Sequence, residues 1–291
     1  MTPASRMSRL SSVDAGVESR AVRVAALAER CLVQEVETWP KPGLVSHIDT
    51  GSHRDMDVHT FRRSAGAIRP YLTQLVEAGA RGGGMAALRK IGLQAERAML
   101  AATGGINTHR GAIFGMGLVC AAIGWCEAHN DDPCVPLGRM VAQRWGNEIM
   151  GGPRLCDSHG EVAARRYGAG GARMEAAEGW PAVYEVGIPA LREGMQFAPG
   201  DAEAARVHAC FALIAVVEDT NLLHRGGAEG LHFAQRQAQR FLDRGGVRHT
   251  HWRKHAVAIH RAFVERRLSP GGCADLLAMS LFVHELESRE R

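Results

Sequence analysis

Four segments of this sequence place glycine beside cationic and acidic side chains, a combination that can bind phosphate and move protons. The first segment, residues 35–55, reads EVETWPKPGLVSHIDTGSHRD. Its two prolines end the preceding helix and stiffen the loop around Lys41. Glu35 lies on the apolar face of that helix, where a carboxylate is either paired internally or faces a cleft. Two interpretations stay open: a Lys41–Glu35 ion pair that holds the loop, or a lysine placed over phosphate, with Glu35 and Asp55 available for catalysis.

The second segment, residues 103–111, reads TGGINTHRG and precedes an apolar run. Its glycines let the backbone approach a ligand closely, and Asn107 or Thr108 can cap the helix that follows. The free N–H groups of the first helical turn then point at an anion, with Arg110 beside them. A capped turn would explain the glycines, but it does not need Asn, Thr, His and Arg in succession. We therefore predict phosphate-binding residues at Gly104, Gly105, Asn107, Thr108, His109 and Arg110.

The third segment, residues 218–227, reads EDTNLLHRGG and repeats the His-Arg-Gly of the second. Its two carboxylates follow a predicted helix, and the negative end of a helix dipole favours a cation there. An isolated acid at a helix end is common on protein surfaces, which is the simpler explanation of Glu218. For Asp219 we predict a catalytic role and Mg²⁺ binding, next to a loop that holds a nucleoside triphosphate. The predicted phosphate ligands are Asn221, His224, Arg225, Gly226 and Gly227.

The fourth segment, residues 167–176, reads YGAGGARMEA. A glycine-rich loop again precedes an arginine and a carboxylate in a helical stretch. We predict that Arg173 binds phosphate and that Glu175 is a catalytic acid or a second Mg²⁺ ligand, although a structural carboxylate is as common. Histidines also cluster at residues 249–255, but no nearby carboxylate has a compelling spacing, so a zinc site is not predicted.

Helical periodicity dominates the elements that must position these segments. Apolar residues recur at three- and four-residue steps over residues 24–35 and 61–72. Residues 111–126 are apolar almost all round, which predicts a buried central helix. Pro70 is expected to bend or break its helix, and Asp201 to cap another.

The fold class follows from this pattern. Alternating strand patterns are nearly absent, and no Gly-x-x-x-x-Gly-Lys-Ser/Thr loop occurs. We predict an all-α fold, a single compact multi-helix domain over residues 21–288, preceded by a polar head at residues 1–20 that is expected to be disordered. Further helices are predicted at residues 85–102, 228–243, 252–267 and 273–288.

Composition narrows the class of protein. The 291 residues are 46% hydrophobic, which is enough for a substantial core, and neither an 18-residue apolar run nor an apolar leader is found, so no membrane partner is expected. Seven cysteines without a Cys-x-x-Cys pair are typical of buried thiols in a reducing compartment, so we expect a cytoplasmic protein. The net charge of +4 contains no basic run of five residues, which argues against nucleic acid as a partner.

Taken in order, the segments resemble those of the triphosphoribosyl-dephospho-coenzyme A synthases. The resemblance is carried by residues 38–46 (TWPKPGLVS), 51–56 (GSHRDM), 102–112 (ATGGINTHRGA), 167–176 and 219–227 (DTNLLHRGG). It implies an all-helical enzyme that joins the triphosphoribosyl part of ATP to the 2′-hydroxyl of 3′-dephospho-CoA and releases adenine. ATP and 3′-dephospho-CoA would be its substrates, with Mg²⁺ expected beside the triphosphate.

The same resemblance implies how the product is used. It is the precursor of the prosthetic group of citrate lyase and malonate decarboxylase, so it would pass to a phosphoribosyl-dephospho-CoA transferase that acts on an acyl carrier protein. Trp39, Ser46 and residues 268–277 (LSPGGCADLL) look like the malonate decarboxylase branch. The citrate lyase branch often has Asp where this chain has Ser46. A homo-oligomer is compatible with this picture.

The implied reaction requires carboxyl groups in several roles. Its transition state is oxocarbenium-like, so nearby carboxylates stabilise it. One acid helps adenine leave and one base takes the hydroxyl proton. The candidates are Glu35, Asp55, Glu175 and Asp219, and Lys41 joins the phosphate ligands; which carboxylate is acid or base stays open. Two rival functions are another ATP-dependent phosphoryl or nucleotidyl transferase, and a non-catalytic helical module that binds an acyl carrier protein.

Overall fold

The computed structural model describes residues 3–129, 135–153 and 159–289, and side chains in those ranges except at 3–19, 159–161, 164 and 289. The described chain is helical without a strand, which confirms the predicted all-α fold. The described residues form twelve α-helices in one compact domain: α1 (Pro3–Val36), α2 (Val58–Ala80), α3 (Met85–Thr103), α4 (Arg110–His129), α5 (Leu137–Gly151), α6 (His159–Tyr167), α7 (Gly171–Ala177), α8 (Ile188–Phe197), α9 (Ala202–Val216), α10 (Thr220–Asp243), α11 (Trp252–Glu265) and α12 (Gly271–Arg289). A π-helical segment at Ala182–Gly187 leads into α8, and a 3₁₀ turn at Gly246–Arg248 follows α10.

Helix α2 organises the first half of the molecule, because it packs against α1, α3 and α4. It begins after Asp57, whose carboxylate accepts the N–H of Thr60 at 2.8 Å. Pro70 lies inside this helix and does not break it, and the alternative, a bend at Pro70, stays a prediction. A proline within a helix costs about 3 kcal/mol. Ile68 and Leu72 are buried on either side of it, and such burial offsets that cost.

The predicted central helix is confirmed as α4, which is buried almost continuously from Ala112 to Gly124. Within the described residues it is the one helix long and apolar enough to cross a membrane, and 67% of its most apolar window is buried inside the protein. Helices α9 and α10 pass that test only as a pair bent by 59°. Contacts with α2, α3 and α12 cover α4, so its composition is that of a core helix.

The second half is built on α9, which packs against α8 and α10. Asp201 caps α9 as predicted, since its carboxylate accepts the N–H of Ala204 at 2.9 Å. Helix α12 joins the two halves through contacts with α1, α4 and α9. The predicted helices at 85–102, 252–267 and 273–288 agree with α3, α11 and α12 to within two residues at each end.

The third segment departs most from its prediction. Residues 219–227, expected as a loop after a helix, instead start α10, and Asp219 is the cap of that helix. Gly227 interrupts α10 with φ 61° and ψ −165°, a conformation that glycine adopts without strain. The helix predicted at 228–243 is therefore the second part of α10.

The predicted boundary near residue 20 coincides with no helix end, because α1 runs through it from Pro3 to Val36. Side chains are described from Arg20 onward, and Ala21 and Val24 are already in the core. The disordered head and the limits 21–288 remain predictions.

Candidate active site

The four segments meet at one cleft with a volume of about 1410 Å³. Its walls come from the loop after α1, the start of α4, α7, the start of α10 and the start of α12. The structure thus brings together residues that are distant in sequence. The predicted site residues on these walls are Glu35, Lys41, Asp55, Gly105, Asn107, Thr108, His109, Arg110, Arg173, Glu175, Asp219, Asn221, His224 and Arg225.

Three predicted glycines do not line the cleft. Gly104 ends α3 in the left-handed conformation and donates its N–H to Leu100. Gly226 faces the side chain of Leu268 within the protein, and Gly227 forms the kink of α10. These glycines shape the backbone that carries the neighbouring histidines and arginines.

Glu35 and Lys41 form a buried ion pair, with exposed fractions of 4% and 1%. The Lys41 ammonium donates to the Glu35 carboxylate and, at 2.6 Å, to the Glu35 backbone carbonyl. Burial raises the pKa of Glu35, and the charge of Lys41 opposes that rise. The loop-holding pair is therefore present. An ammonium has three N–H donors, so Lys41 keeps one for the cleft whose wall it forms; its phosphate contact stays a prediction.

The loop around Lys41 takes its shape from the far end of the chain. His260 Nδ1 donates to the Lys41 carbonyl at 2.7 Å. Ser52 Oγ donates to the Leu268 carbonyl at 2.6 Å, and His53 Nε2 lies 2.9 Å from Ser269 Oγ. These bonds fix the first segment against α11 and the turn that precedes α12.

His109 is a buried, neutral imidazole on the cleft wall. Burial, assisted by the charge of Lys41, lowers the pKa of His109 to about 3. Its Nδ1 lies 2.6 Å from Ser64 Oγ, which in turn accepts a hydrogen bond from Thr108 at 2.7 Å. Ser64 can then give its own proton to Nδ1, and in that arrangement the other nitrogen, Nε2, carries the ring proton. That Nε2 is buried without a protein partner.

Arg110 begins α4, and Asn107 Oδ1 accepts its backbone N–H at 3.2 Å, which confirms Asn107 as the predicted cap. The Arg110 side chain donates through Nε to Glu96 of α3 at 3.1 Å. It stays 36% exposed at the cleft. Arg110 is thus oriented by one carboxylate and still accessible to a ligand.

Asp219 is almost fully buried and its oxygens already accept hydrogen bonds. Oδ1 accepts the N–H groups of Asn221 at 2.8 Å and Leu222 at 3.1 Å, and Oδ2 accepts the N–H of Cys273 at 2.8 Å. Burial raises the pKa of Asp219, while these three bonds lower it. Asp219 follows the end of α9, as predicted, but it also lies at the N-terminus of α10, where the helix dipole favours a carboxylate and not a cation site.

His224 and Arg225 are exposed on the first helical turns of α10. The Arg225 guanidinium donates to the backbone carbonyl of Arg267 at 3.0 Å and to His53 at 3.3 Å. Asp55 Oδ1 lies 3.8 Å from His53. Burial and the charge of Arg225 lower the pKa of His53 to about 4, so its ring is neutral. These contacts join the first and third segments at one edge of the cleft.

Arg173 has a structural contact in addition to its place on the cleft wall. Its guanidinium donates to the carbonyls of Met150, Gly152 and Pro153 at 2.9–3.1 Å, at the C-terminal end of α5. A cation is favourable there because the helix dipole is negative at that end. Phosphate binding by Arg173 stays a prediction.

Glu175 belongs to an acidic wall that also contains Glu178 and Glu185. Its Oε2 accepts the N–H of Ala182 at 3.3 Å. Burial raises the pKa of Glu175, and the two neighbouring carboxylates add to that rise. Such a wall attracts a cation.

Mg²⁺ fits this site only as a companion of a phosphate ligand. Among the residues that the structure describes, no three Asp, Glu, His or Cys side chains could hold a metal ion. Asp219 uses three of its roughly four acceptor positions on backbone N–H groups, so it caps a helix better than it binds metal. Glu175 remains available at the acidic wall. Mg²⁺ commonly binds one or two carboxylates together with substrate phosphates, and Glu175 suits that arrangement.

Asp275 is a cleft residue that sequence reasoning missed. It lies near the start of α12, and its carboxyl accepts the N–H of Ala112 in α4. Burial and the charges of Glu35 and Asp219 raise the pKa of Asp275 well above its ordinary value. The one available signal was an acid inside the LSPGGCADLL segment, followed directly by apolar residues.

Comparison with known proteins defines the class. The family of ATP:dephospho-CoA triphosphoribosyl transferases, CitG, matches residues 21–291. This chain belongs to that family and is therefore an enzyme, a pentosyltransferase.

The names of individual relatives agree with this family assignment. The "Probable 2-(5''-triphosphoribosyl)-3'-dephosphocoenzyme-A synthase" of Vibrio cholerae serotype O1 is 40% identical over 275 residues, which are 90% of this chain and 88% of that protein. The protein of the same name from Acinetobacter calcoaceticus is 38% identical, with 94% of each chain covered. The "2-(5''-triphosphoribosyl)-3'-dephosphocoenzyme-A synthase" of Pectobacterium atrosepticum is 38% identical over 87% of this chain and 85% of that protein. No solved structure matches the sequence.

Proposed function

We propose that this enzyme joins the triphosphoribosyl part of ATP to the 2′-hydroxyl of 3′-dephospho-CoA and releases adenine. The observation that carries the proposal is the convergence of four separate segments on one cleft. Membership of the transferase family, and the names of its relatives, support the same reaction.

The size of the cleft suits two nucleotide substrates. Its volume of about 1410 Å³ exceeds the roughly 300–1,000 Å³ of a pocket for one drug-sized ligand. Both substrates carry phosphate chains, and the cleft offers Arg110 on one segment and His224 with Arg225 on another. Arg225 takes the triphosphate, and Arg110 takes the pyrophosphate of dephospho-CoA. Glu175 would hold the Mg²⁺ that accompanies the triphosphate.

The division between the arginines follows from where the acidic wall meets α10. Helix α7, which carries Glu175, begins against Thr220, since a Cβ on Gly171 would lie 3.6 Å from the Thr220 side chain. In this proposal, a triphosphate whose metal would be held by Glu175 extends along α7 towards Thr220 and the third segment.

The proposed base is Asp55, whose side chain is 61% exposed at the cleft. Because the neighbouring His53 is neutral, it does not compensate the charge of the Asp55 carboxylate. Asp55 accepts the proton of the attacking hydroxyl. Glu35 stays bound to Lys41 and contributes its charge to the electrostatic field of the cleft. Asp219 caps α10 and so positions the backbone at the start of that helix.

The proposed product is 2′-(5″-triphosphoribosyl)-3′-dephospho-CoA, made in the cytoplasm for malonate decarboxylase. Trp39, Ser46 and residues 268–277 support that branch by their resemblance. Ser46 is buried, and its Oγ accepts the N–H groups of Ile48 and Asp49, so its task is the turn of the first segment. The product passes to a phosphoribosyl-dephospho-CoA transferase that modifies an acyl carrier protein.

The test is chromatography of ATP and 3′-dephospho-CoA after incubation with the protein. Adenine and a triphosphoribosylated product are expected in equal amounts. Release of ADP or pyrophosphate would instead identify a phosphoryl or nucleotidyl transferase, and unchanged substrates would indicate a binding module. A chelator should abolish the reaction, and Mg²⁺ or Mn²⁺ should restore it; full activity in chelator would remove Mg²⁺ from the proposal.

A further inference from the structure

Asp275 lies against the start of α4, where a glycine leaves room for its carboxyl group. A Cβ on Gly111 would lie 2.0 Å from Asp275 Oδ2, so glycine at this position makes room for the carboxyl. The N–H of Ala112, one residue further along, donates to the same carboxyl. Asp275 is partly exposed, and the space it faces is the cleft.

Three carboxylates, Glu35, Asp219 and Asp275, influence one another at this point. The buried cation among them, Lys41, is bonded to Glu35. Asp219 is stabilised by three backbone N–H groups, whereas Asp275 has the N–H of Ala112. Uncompensated like charges in a buried site cannot all persist, so one carboxyl keeps its proton. Asp275 is the carboxyl with the least stabilisation of its charged form.

We propose that Asp275 is the general acid that protonates adenine as its bond to the ribose breaks, a role that rests on the reaction proposed above. The C1′–N9 bond of ATP breaks with its electron pair moving to the purine, and the Asp275 proton goes to the purine ring. Adenine therefore leaves as a neutral molecule.

The rest of the step balances this transfer. The 2′-oxygen of dephospho-CoA forms the new bond to C1′, and the hydroxyl proton passes to Asp55. One proton is given and one is taken, and exchange with water resets both carboxyls. The protonated Asp275 and the exposed Asp55 are two acids whose surroundings separate their roles.

The decisive experiment compares Asp275→Asn on two substrates, ATP and ATP methylated at N7 of the purine. The methylated base leaves as a neutral molecule without a proton from the enzyme. Loss of a general acid lowers kcat by about 10²–10⁴-fold, so that loss is expected with ATP and a loss of less than about tenfold with the methylated substrate. Asp243→Asn, the same chemical change at an exposed residue outside the cleft, should match the wild type on both. An equal loss on the two substrates, or no loss, would overturn the role of Asp275.

A measurement on the wild type covers the case in which Asp275→Asn does not fold. The groups that face Asp275 are the carboxylates of Glu35 and Asp219 and the thiol of Cys273, with Lys41 beside Glu35. With ATP, kcat should fall as the pH rises through the pKa of the acid, because its protonated form is lost. With methylated ATP that fall should be absent, and identical profiles would contradict the proposal. A wild type that releases no adenine would refute the reaction itself, which is a different result from an unaffected Asp275→Asn.

Discussion

The residues 109–111 and 224–226 both read His-Arg-Gly, yet they occupy different surroundings. In the first, the histidine is buried against Ser64 and the arginine begins α4 beside Glu96. In the second, histidine and arginine are exposed on a helix that kinks one residue after the glycine. The first glycine makes room for a carboxyl, whereas the second faces a leucine. The same three residues thus build a wall of the cleft with a buried histidine in one place and an exposed edge in another, because different helices pack behind them.

The largest difference from the exposed third segment should be shown by Lys41, the buried lysine that lies beside His109 and belongs to the first segment. Lys41→Met leaves Glu35 buried without its counter-charge, which is expected to lower the free energy of unfolding by about 3–5 kcal/mol. Arg225→Met, at the exposed segment, should lower it by about 1 kcal/mol or less. Urea unfolding measures both. The double variant Glu35→Gln/Lys41→Met should recover most of the loss, and a single variant no worse than Arg225→Met would show that the pair does not hold the loop.

The two glycines should differ next. Gly111→Ala forces the Asp275 carboxyl to move, and a displacement of about 1 Å in an active site can lower kcat about 100-fold. Gly226→Ala meets Leu268 Cδ2 at 2.6 Å, the end of a side chain that can turn aside, so a change of about threefold or less is expected. Steady-state kinetics of two folded variants would decide it. Equal losses would mean that both glycines serve only the backbone.

The two arginines should separate the substrates. Arg225→Ala is expected to raise the KM for ATP, and Arg110→Ala the KM for 3′-dephospho-CoA. Each loses a charged hydrogen-bond donor, worth about 1.5–3 kcal/mol or roughly 10- to 150-fold. Kinetics with each substrate varied in turn measure the split. A reversed pattern, or the same substrate weakened by both, would contradict the division of the cleft.

The smallest expected effect is the pH dependence of stability from His109. Its folded pKa of about 3 lies below the ordinary 6.5, so the unfolded chain binds the proton first and stability falls as the pH drops. The expected loss is about 1 kcal/mol on going from pH 6.5 to pH 5.5. His109→Gln should lack this part of the dependence in urea unfolding. A variant with the same pH slope as the wild type would place the titration elsewhere.

Local sequence patterns identified residues of the cleft because phosphate chemistry leaves a local trace of glycine, arginine and histidine. They did not predict the start of α10, since one of the three N–H groups bound to Asp219 comes from Cys273, far along the chain. A carboxylate after a helix and a carboxylate before the next helix look the same when the intervening loop is short.

Asp275 was missed for a related reason. Near the start of an apolar helix, an acid is read as a favourable end group. The features that suit Asp275 to acid catalysis are the close approach of Gly111 and the nearby charges of Glu35 and Asp219. These three residues come from three other parts of the fold. Pro70 shows the opposite limit, because a strong local signal for a break was outweighed by packing on three sides.

The supports of the first segment also set an order of events during synthesis. The Lys41 carbonyl and Ser52 are bonded to His260 and Leu268, which lie 219 and 216 positions further along the chain. A ribosome adds about 5–20 residues per second, so the segment waits roughly 10–40 s for these partners. During that time its lysine and its polar loop have no final position. The first segment, although it is made early, is therefore fixed in position late. A chain released before α11 and α12 would contain all four segments but could not bring them together in the cleft.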